Sequence, residues 1–183
     1  MIAIRRPRAA EAPAMAALHI ACWREAYRGI VPDNLLARAD LSKRTAVWRG
    51  AIADPERIVL AAYDGERAAG FIIAGKPLEH LFDGMDGHIA ALYVARSHYR
   101  KGIGRRLLGT GAGQWLGRGG TSLALGVLAA NSRARAFYEN CGARLVSEGT
   151  YNWDGHDLPD AIYCFDDLRR LATPVISEVR SAP

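Results

Sequence analysis

The spacing of hydrophobic residues changes along the chain. In the first third it is mainly the spacing that predicts helices. Residues 2–6, with the sequence IAIRR, predict a short first strand. Over residues 9–27, apolar side chains recur every three or four positions and predict an amphipathic helix. A second helix is predicted over 42–53, with Ser42 as its N-cap. Its predicted end is set by Pro55, which interrupts the helical pattern.

From residue 57 onward the pattern is mainly that of strands. The runs RIVLAAY and RAAGFIIAG are joined by Asp64, Gly65 and Glu66, which is a strong signal for a β-hairpin. The elements predicted after this hairpin are a strand HIAALYV, a helix opened by RKGIGRRLL, a strand SLALGV, a helix SRARAFYENCG, and the strands RLVSEGTY and DAIYCF. We therefore expect a mixed α/β (α+β) chain with one domain over residues 1–172 and a C-terminal tail over 173–183.

The composition is that of an ordinary globular protein. Of the 183 residues, 50% are hydrophobic and 23% are charged. No apolar run approaches the ~18 residues of a membrane-spanning helix, and no apolar segment near the N-terminus predicts a secretory signal. The three cysteines lack CxxC spacing, so we expect neither a disulfide framework nor a metal site. We expect a cytoplasmic protein with no membrane partner.

The charge is basic and dominated by arginine. There are 24 basic and 19 acidic residues, which gives a formal net charge of +5. This excess is spread thinly, apart from RRPR near the start and RKGIGRR in the middle. A thin excess is typical of a solvated surface, so we expect no nucleic-acid partner. A cluster of basic residues beside a glycine loop indicates instead that the ligand is a small polyanion such as a phosphate group.

The glycine loop YRKGIGRRLL directly follows the predicted strand HIAALYV. Without side chains, Gly102 and Gly104 let the backbone turn tightly and direct several N–H groups to one place at a helix N-terminus. A plain tight turn explains the same spacing about equally well. Two other phosphate motifs are excluded, because Leu107 replaces the third glycine of a dinucleotide-binding fingerprint and no G-K-[ST] of a P-loop is present.

A second pattern, NSRARAFYENCGA, places four residues on one helical face. These are Ala134, Phe137, Tyr138 and Cys141. Asn131 stands where an N-cap belongs. Taken alone, the pattern favours a cap for Asn131 and a half-buried core aromatic for Tyr138.

Together, the two patterns closely resemble the GNAT superfamily of acetyl-CoA-dependent N-acetyltransferases. The resemblance lies in a valine-ended strand, a glycine loop opening a helix, and the later pattern N-x-x-A-x-x-F-Y-x-x-x-G. It covers the chain from about Arg57 to Cys164. The resemblance implies a central, mostly antiparallel twisted sheet of about seven strands with flanking helices, splayed at the strand that holds the cofactor.

The resemblance also implies a set of site residues. In such enzymes acetyl-CoA is the co-substrate, and its pyrophosphate would be held by the loop Arg100, Lys101, Gly102, Ile103, Gly104 and Arg105. The pantetheine arm would pair with the strand end at Leu92, Tyr93 and Val94. Asn131 would contact the cofactor, and Tyr138 would donate a proton to the departing thiolate. No metal is required for this chemistry.

Three positions depart from the family pattern. Tyr99 replaces the usual Gln or Arg before the glycines, and Gly126 stands where some peptide-acetylating relatives carry a catalytic glutamate. His88 occupies the position where many members have a glutamate base, so we expect His88 to take the proton of the attacking amine. A strand-end histidine in contact with solvent is an equally good interpretation.

The acceptor pocket is expected between the first helices and the last strands. Trp23, Tyr27 and Trp153 are its candidate lining residues, whereas Trp48 is expected in the core. The sequence therefore predicts an N-acetyltransferase acting on a small-molecule or peptide amine, with a homodimer as one arrangement. The alternative is an acyl-CoA-binding sensor that keeps the fold without turnover.

Overall fold

The computed structural model describes residues 1–77 and 84–172. The expected C-terminal tail over 173–183, and part of the loop that follows RAAGFIIAG, lie outside these residues. The strands are β1 Ile2–Arg5, β2 Ile58–Asp64, β3 Arg67–Gly75, β4 His88–Val94, β5 Leu123–Leu128, β6 Arg144–Trp153 and β7 His156–Phe165. The helices are α1 Ala12–Tyr27, α2 Asp33–Ala37, α3 Leu41–Ala53, α4 Ile103–Leu116 and α5 Ser132–Asn140.

Seven strands of the described chain form one sheet in the order β1-β2-β3-β4-β5-β7-β6. Each neighbouring pair is antiparallel except β4 and β5, which are parallel. These two strands pair only at His88 and Ala124 and then diverge. The expected architecture, a mostly antiparallel sheet of about seven strands with a splay, is confirmed.

The core lies on both faces of the sheet, and β2 shows why. Ile58 and Leu60 pack with α4 and α5 on one face, whereas Val59 and Ala61 pack with α1 and α3 on the other. Because successive strand residues point to opposite faces, a strand covered on both sides has an unbroken apolar sequence. A smaller apolar cluster lies between α2 and the far end of β5, around Leu128.

Several sequence-based boundaries were wrong in informative ways. The N-cap of α3 is Asp40, whose side chain accepts a hydrogen bond from the Lys43 amide at 2.8 Å, rather than Ser42. The final hairpin turns at Asp154 and Gly155, which both have positive φ, as a tight turn between strands requires. Strand β7 therefore begins at His156, well before the predicted start.

The start of β4 is held by an aspartate carboxylate in the preceding segment. Asp86 accepts hydrogen bonds from the Trp115 indole at 3.0 Å and from the Ser122 amide at 3.0 Å. The Trp115 ring lies so close to Gly87 and Gly120 that a Cβ at either position would collide with it. These contacts hold together the two segments that precede β4 and β5, next to the point where the strands begin to diverge. Along the described chain, no helix has the length and apolarity to cross a membrane.

Candidate active site

The loop after β4 exposes backbone amides at the start of α4. Arg100 and Gly102 have φ of 63° and 74°, and this left-handed geometry bends the loop sharply. The first helical hydrogen bond runs from the Arg106 amide to the Gly102 carbonyl. The amides of Ile103, Gly104 and Arg105 therefore have no acceptor within the described chain. Three free amides at a helix N-terminus form a site for an anion.

Glycine at position 104 permits a close contact that the sequence pattern does not reveal. A Cβ at Gly104 would lie 3.2 Å from the Phe137 ring and 3.8 Å from a Val94 methyl group. With any larger residue here, the Phe137 ring would have to move away from α4. The residue sets the packing of the loop against its walls.

Arginines surround the loop in different structural roles. The Arg133 guanidinium lies 4.6 Å from the centre of the Tyr99 ring, a cation–π contact. Arg105 donates to the Asn140 carbonyl at 2.9 Å and so ties the loop to α5. Arg100, Arg105 and Arg133 line the cleft described below, but Lys101 does not. Sequence reasoning missed Arg133, although it stands two positions after Asn131.

A cleft of about 760 Å³ lies at the end of β4, between the glycine loop, the start of α4 and helix α5. Its lining includes the loop and, from the other elements, Leu92, Tyr93, Val94, Asn131 and Tyr138. Beyond His88, the edge of β4 that faces β5 has no strand partner in the described chain. Backbone groups on such an edge pair with an extended ligand as they would with another strand.

Asn131 combines a structural role with a place in the cleft. Its side-chain oxygen accepts a hydrogen bond from the Ala134 amide at 3.2 Å, which confirms Asn131 as the N-cap of α5. Asn131 is 9% exposed and lines the cleft. Since capping uses the side-chain oxygen, the side-chain NH₂ remains available to a ligand.

Tyr138 lies at the wall of the cleft, 7% exposed and packed at 5.2 Å against the Phe137 ring. Burial, with the neighbouring Tyr27 and Cys141, raises the pKa of the Tyr138 phenol well above its ordinary value. The phenol is protonated at neutral pH, as a tyrosine of ordinary pKa also is. The Tyr138 hydroxyl makes no hydrogen bond within the described part of the chain, so its proton is available to a group in the cleft.

An aromatic cluster adjoins the cleft. It consists of Trp23, Tyr27, Tyr151 and Trp153 and connects the end of α1 to the last hairpin, with ring centroids 5.4 to 6.0 Å apart. Tyr93 on the cleft wall donates a hydrogen bond to the Tyr27 hydroxyl at 3.3 Å. Tyr151 was missed by sequence reasoning, although it alternates with Trp153 along β6. Trp48 is 1% exposed, which confirms it as a core residue.

The comparison with known families decides what this cleft belongs to. Residues 13–143 match the model of the acetyltransferase (GNAT) family. The chain belongs to the GNAT family. The match spans the first helix, the splayed strand pair, the loop and helix α5, so it includes most of the cleft. The chain is therefore an acetyltransferase of this family.

Individual relatives resemble the chain along most of its length. An uncharacterized N-acetyltransferase of Bacillus subtilis (strain 168), YuaI, is 25% identical over 173 residues, which cover 94% of this chain and 98% of YuaI. The structure of yncA from Salmonella typhimurium, solved with its cofactor acetyl-CoA, has a TM-score of 0.70 at 18% identity and covers 91% of this chain and 94% of its own. The paia N-acetyltransferase of Thermoplasma acidophilum, solved with coenzyme A, has a TM-score of 0.66 at 18% identity, covering 88% and 98%.

Two of the departures from the GNAT pattern now have a structural setting. Tyr99 supports the Arg133 guanidinium, so an arginine still reaches this side of the cleft. Gly126 leaves open space on β5, because among the described residues a Cβ there would contact only Ile162 within 4 Å, at 3.6 Å.

His88 is not among the residues that line the cleft. It stands four residues before Leu92, about 13 Å along an extended strand. Its ring lies 3.0 Å from the Lys76 carbonyl, and burial lowers its pKa. An irregularity in the β3–β4 register places His88 on the face shared by Ala91 and Tyr93. The structure does not bring His88 together with Tyr138.

No group of three or more residues suited to hold a metal ion occurs within residues 1–77 and 84–172.

Proposed function

We propose that this enzyme transfers an acetyl group from acetyl-CoA directly to a primary amine of a small molecule or of an exposed peptide or protein. The observation that supports this best is the arrangement of the splay: an anion-binding loop opens it, an unpaired strand edge lines it and a protonated phenol lies on its wall. A phosphorylated thioester carrier with amide bonds along its arm matches each of these features.

The fit to coenzyme A rests on backbone groups that lack partners among the described residues. The amides of Ile103, Gly104 and Arg105 would accept a pyrophosphate, with Arg100 and Arg133 supplying charge from the cleft wall. The free edge of β4 at Leu92, Tyr93 and Val94 would pair with the pantetheine amides. The structures of yncA and of the Thermoplasma enzyme, solved with acetyl-CoA and coenzyme A, support this choice.

In the proposed reaction, acetyl-CoA supplies a thioester carbonyl for attack by the neutral amine. A backbone N–H on the free edge of β4 stabilises the oxyanion that develops there. As the C–S bond breaks, the Tyr138 hydroxyl gives its proton to the thiolate. The amine loses its own proton to a base or to water, and a proton returns through the solvent to Tyr138. The products are an N-substituted acetamide and a free thiol.

For the base we keep His88 as the candidate. Its ring sits on the face that also carries Ala91 and Tyr93. Its distance along β4 requires that bridging water carry the proton. A neutral imidazole is supported by its lowered pKa.

A sensor without turnover is not favoured. A protein that only binds acyl-CoA needs the anion-binding loop and the free edge of β4, but it does not need a proton donor such as the Tyr138 phenol on the same wall. Tyr138 places a proton donor on the wall of the cleft, which acetyl transfer uses and binding alone does not need.

A thiol-release assay with acetyl-CoA tests the proposal. The panel contains alkyl amines, diamines, amino acids and peptides, and mass spectrometry identifies each acetylated product. The proposal expects thiol release that depends on at least one amine and matches it in stoichiometry. Tight binding of acetyl-CoA with no amine-dependent release from any class would favour the sensor.

A further inference from the structure

One carboxylate of the last hairpin has no partner among the other residues that the structure describes. Three of the four acidic residues of β6, β7 and their turn are paired: Glu148 with Arg135, Asp154 with Arg38, and Asp157 with Asn152. The fourth, Asp160, is only partly exposed, and its carboxylate contacts no other residue of the described chain through an ion pair or hydrogen bond. A half-buried carboxylate without a partner is an unusual feature of a folded protein.

The surroundings of Asp160 are apolar and open on one side. Its register partners are Leu128 on β5 and Gly149 on β6, and partners in an antiparallel ladder share a face. Gly149 leaves room beside the carboxylate, since a Cβ there would lie 3.5 Å from Oδ1 of Asp160. Leu128 and Leu158 belong to the apolar cluster that also packs Trp23, Tyr27 and Trp153. The carboxylate therefore borders the aromatic cluster.

An ion pair with an ammonium group would satisfy this environment. Burial raises the pKa of the Asp160 carboxyl, because partial loss of water disfavours its charged form. A bound cation would offset that loss, and the nearby indole and phenol rings attract cations as well. Carboxylate and rings together match an alkyl ammonium.

The strand register separates this carboxylate from the reacting centre. His88 pairs with Ala124 in parallel strands, so Leu92 and Leu128, each four residues later, lie at the same level. Asp160 pairs with Leu128. It is therefore two strand spacings from Leu92, about 10 Å, and the splay increases this distance. A single amine cannot be held by Asp160 and attack a thioester at Leu92 together.

We propose that Asp160 binds a second ammonium group of the acceptor, which makes the preferred substrate a diamine or longer polyamine. This inference rests on the proposed function. The methylene chain of the substrate would run past the aromatic cluster, while one amine reaches the thioester and the other pairs with Asp160. The only Arg or Lys of the hairpin, Arg144, is paired with Asp166, so the hairpin offers nothing comparable for a substrate carboxylate.

Calorimetry on the coenzyme A-loaded protein tests the site without requiring turnover. The ligands are cadaverine and n-pentylamine, which have the same carbon chain and differ in the second amine. Wild-type protein should bind cadaverine about 10- to 100-fold more tightly, as expected for one charge-assisted contact. Asp160→Asn should remove this difference. The control Asp157→Asn, on the same strand and exposed, should keep it.

Either of two results would overturn the site: equal binding of the two amines by the wild type, or a preference for cadaverine that survives in Asp160→Asn. Thiol release with the same amines separates this inference from the proposed function. Selective binding without any acetylation would contradict the acetyl transfer and leave the Asp160 site intact. Acetylation of both amines at equal efficiency, with equal binding, would support acetyl transfer and contradict the Asp160 site.

Discussion

At the scale of single residues, Tyr138 depends on its environment for its proposed role. The buried phenol is protonated and has no hydrogen-bond partner in the described chain. Tyr138→Phe keeps the ring and its packing against Phe137 while removing the hydroxyl. We expect kcat to fall by about 10²–10⁴, with acetyl-CoA affinity and thermal stability unchanged. Steady-state kinetics measures kcat, and titration and scanning calorimetry measure the affinity and the thermal stability. Wild-type turnover in the variant would assign Tyr138 to packing alone.

The proposed role of His88 as the base predicts how kcat/KM depends on pH. Burial lowers its pKa from the ordinary 6.5, and a base must be deprotonated to act. The kcat/KM profile should therefore show an acidic limb below pH 6.5 that is absent in His88→Gln, together with a lower rate at pH 7. An acceptor amine of known pKa is needed, since its own ionisation also shapes the profile. If wild type and variant give the same profile, the proton leaves by another route.

The burial of His19 predicts that the folded protein loses stability in mild acid. Its ring lies among Trp48, Phe71 and Tyr93, and burial lowers its pKa to about 4. The unfolded chain takes up a proton near pH 6.5 and the folded chain only near pH 4, so stability falls as the pH drops between these values. From pH 7 to 5 the loss is about 2 kcal/mol.

Urea unfolding of wild type and of His19→Phe at both pH values measures this contribution. The variant keeps an aromatic ring at the site but cannot titrate, so its stability should fall by less than that of the wild type over the same range. Equal falls in the two proteins would show that His19 is protonated alike in the folded and unfolded chains.

At the scale of elements, the junction of α4 with α5 determines whether the loop can hold an anion. A valine at position 104 would press on Phe137 and Val94, which wall the cleft. We expect Gly104→Val to lower acetyl-CoA affinity by at least about tenfold. Gly50→Val is the matched control, because Gly50 lies in α3 with open space around it. Unchanged affinity in a folded Gly104→Val protein, measured by calorimetry, would place the cofactor elsewhere.

Elements were predictable where local chemistry specifies them. The hairpin between β2 and β3, with its turn at Gly65, follows from alternating apolar runs around Asp-Gly. The N-cap at Asn131 is likewise a local feature. The short helix α2 was not predicted, because its burial comes from Leu128 and other residues distant in sequence. The Asp154-Gly155 turn was a readable signal that the sequence interpretation overlooked.

At the scale of the whole molecule, the site is assembled from segments that no local pattern connects. The glycine loop and the N-x-x-A-x-x-F-Y pattern identify the family and the cofactor side of the cleft. The hydrogen bond between Tyr27 and Tyr93, the support of Arg133 by Tyr99, and the isolation of Asp160 depend on strand order and register. Such contacts between distant residues follow from the fold alone. The acceptor side was therefore the part that sequence reasoning located least well.

The most direct test of the account is a single-turnover experiment with acetyl-CoA labelled in its acetyl group. Enzyme in excess is mixed with labelled acetyl-CoA, first alone and then with an accepted amine, and mass spectrometry follows protein and amine together. Direct transfer predicts that the protein never carries the label, and that labelled acetamide appears with amine in step with thiol release. A labelled protein that forms without amine and is discharged by it would contradict direct transfer. Bound acetyl-CoA that no amine consumes would contradict acetyl transfer altogether.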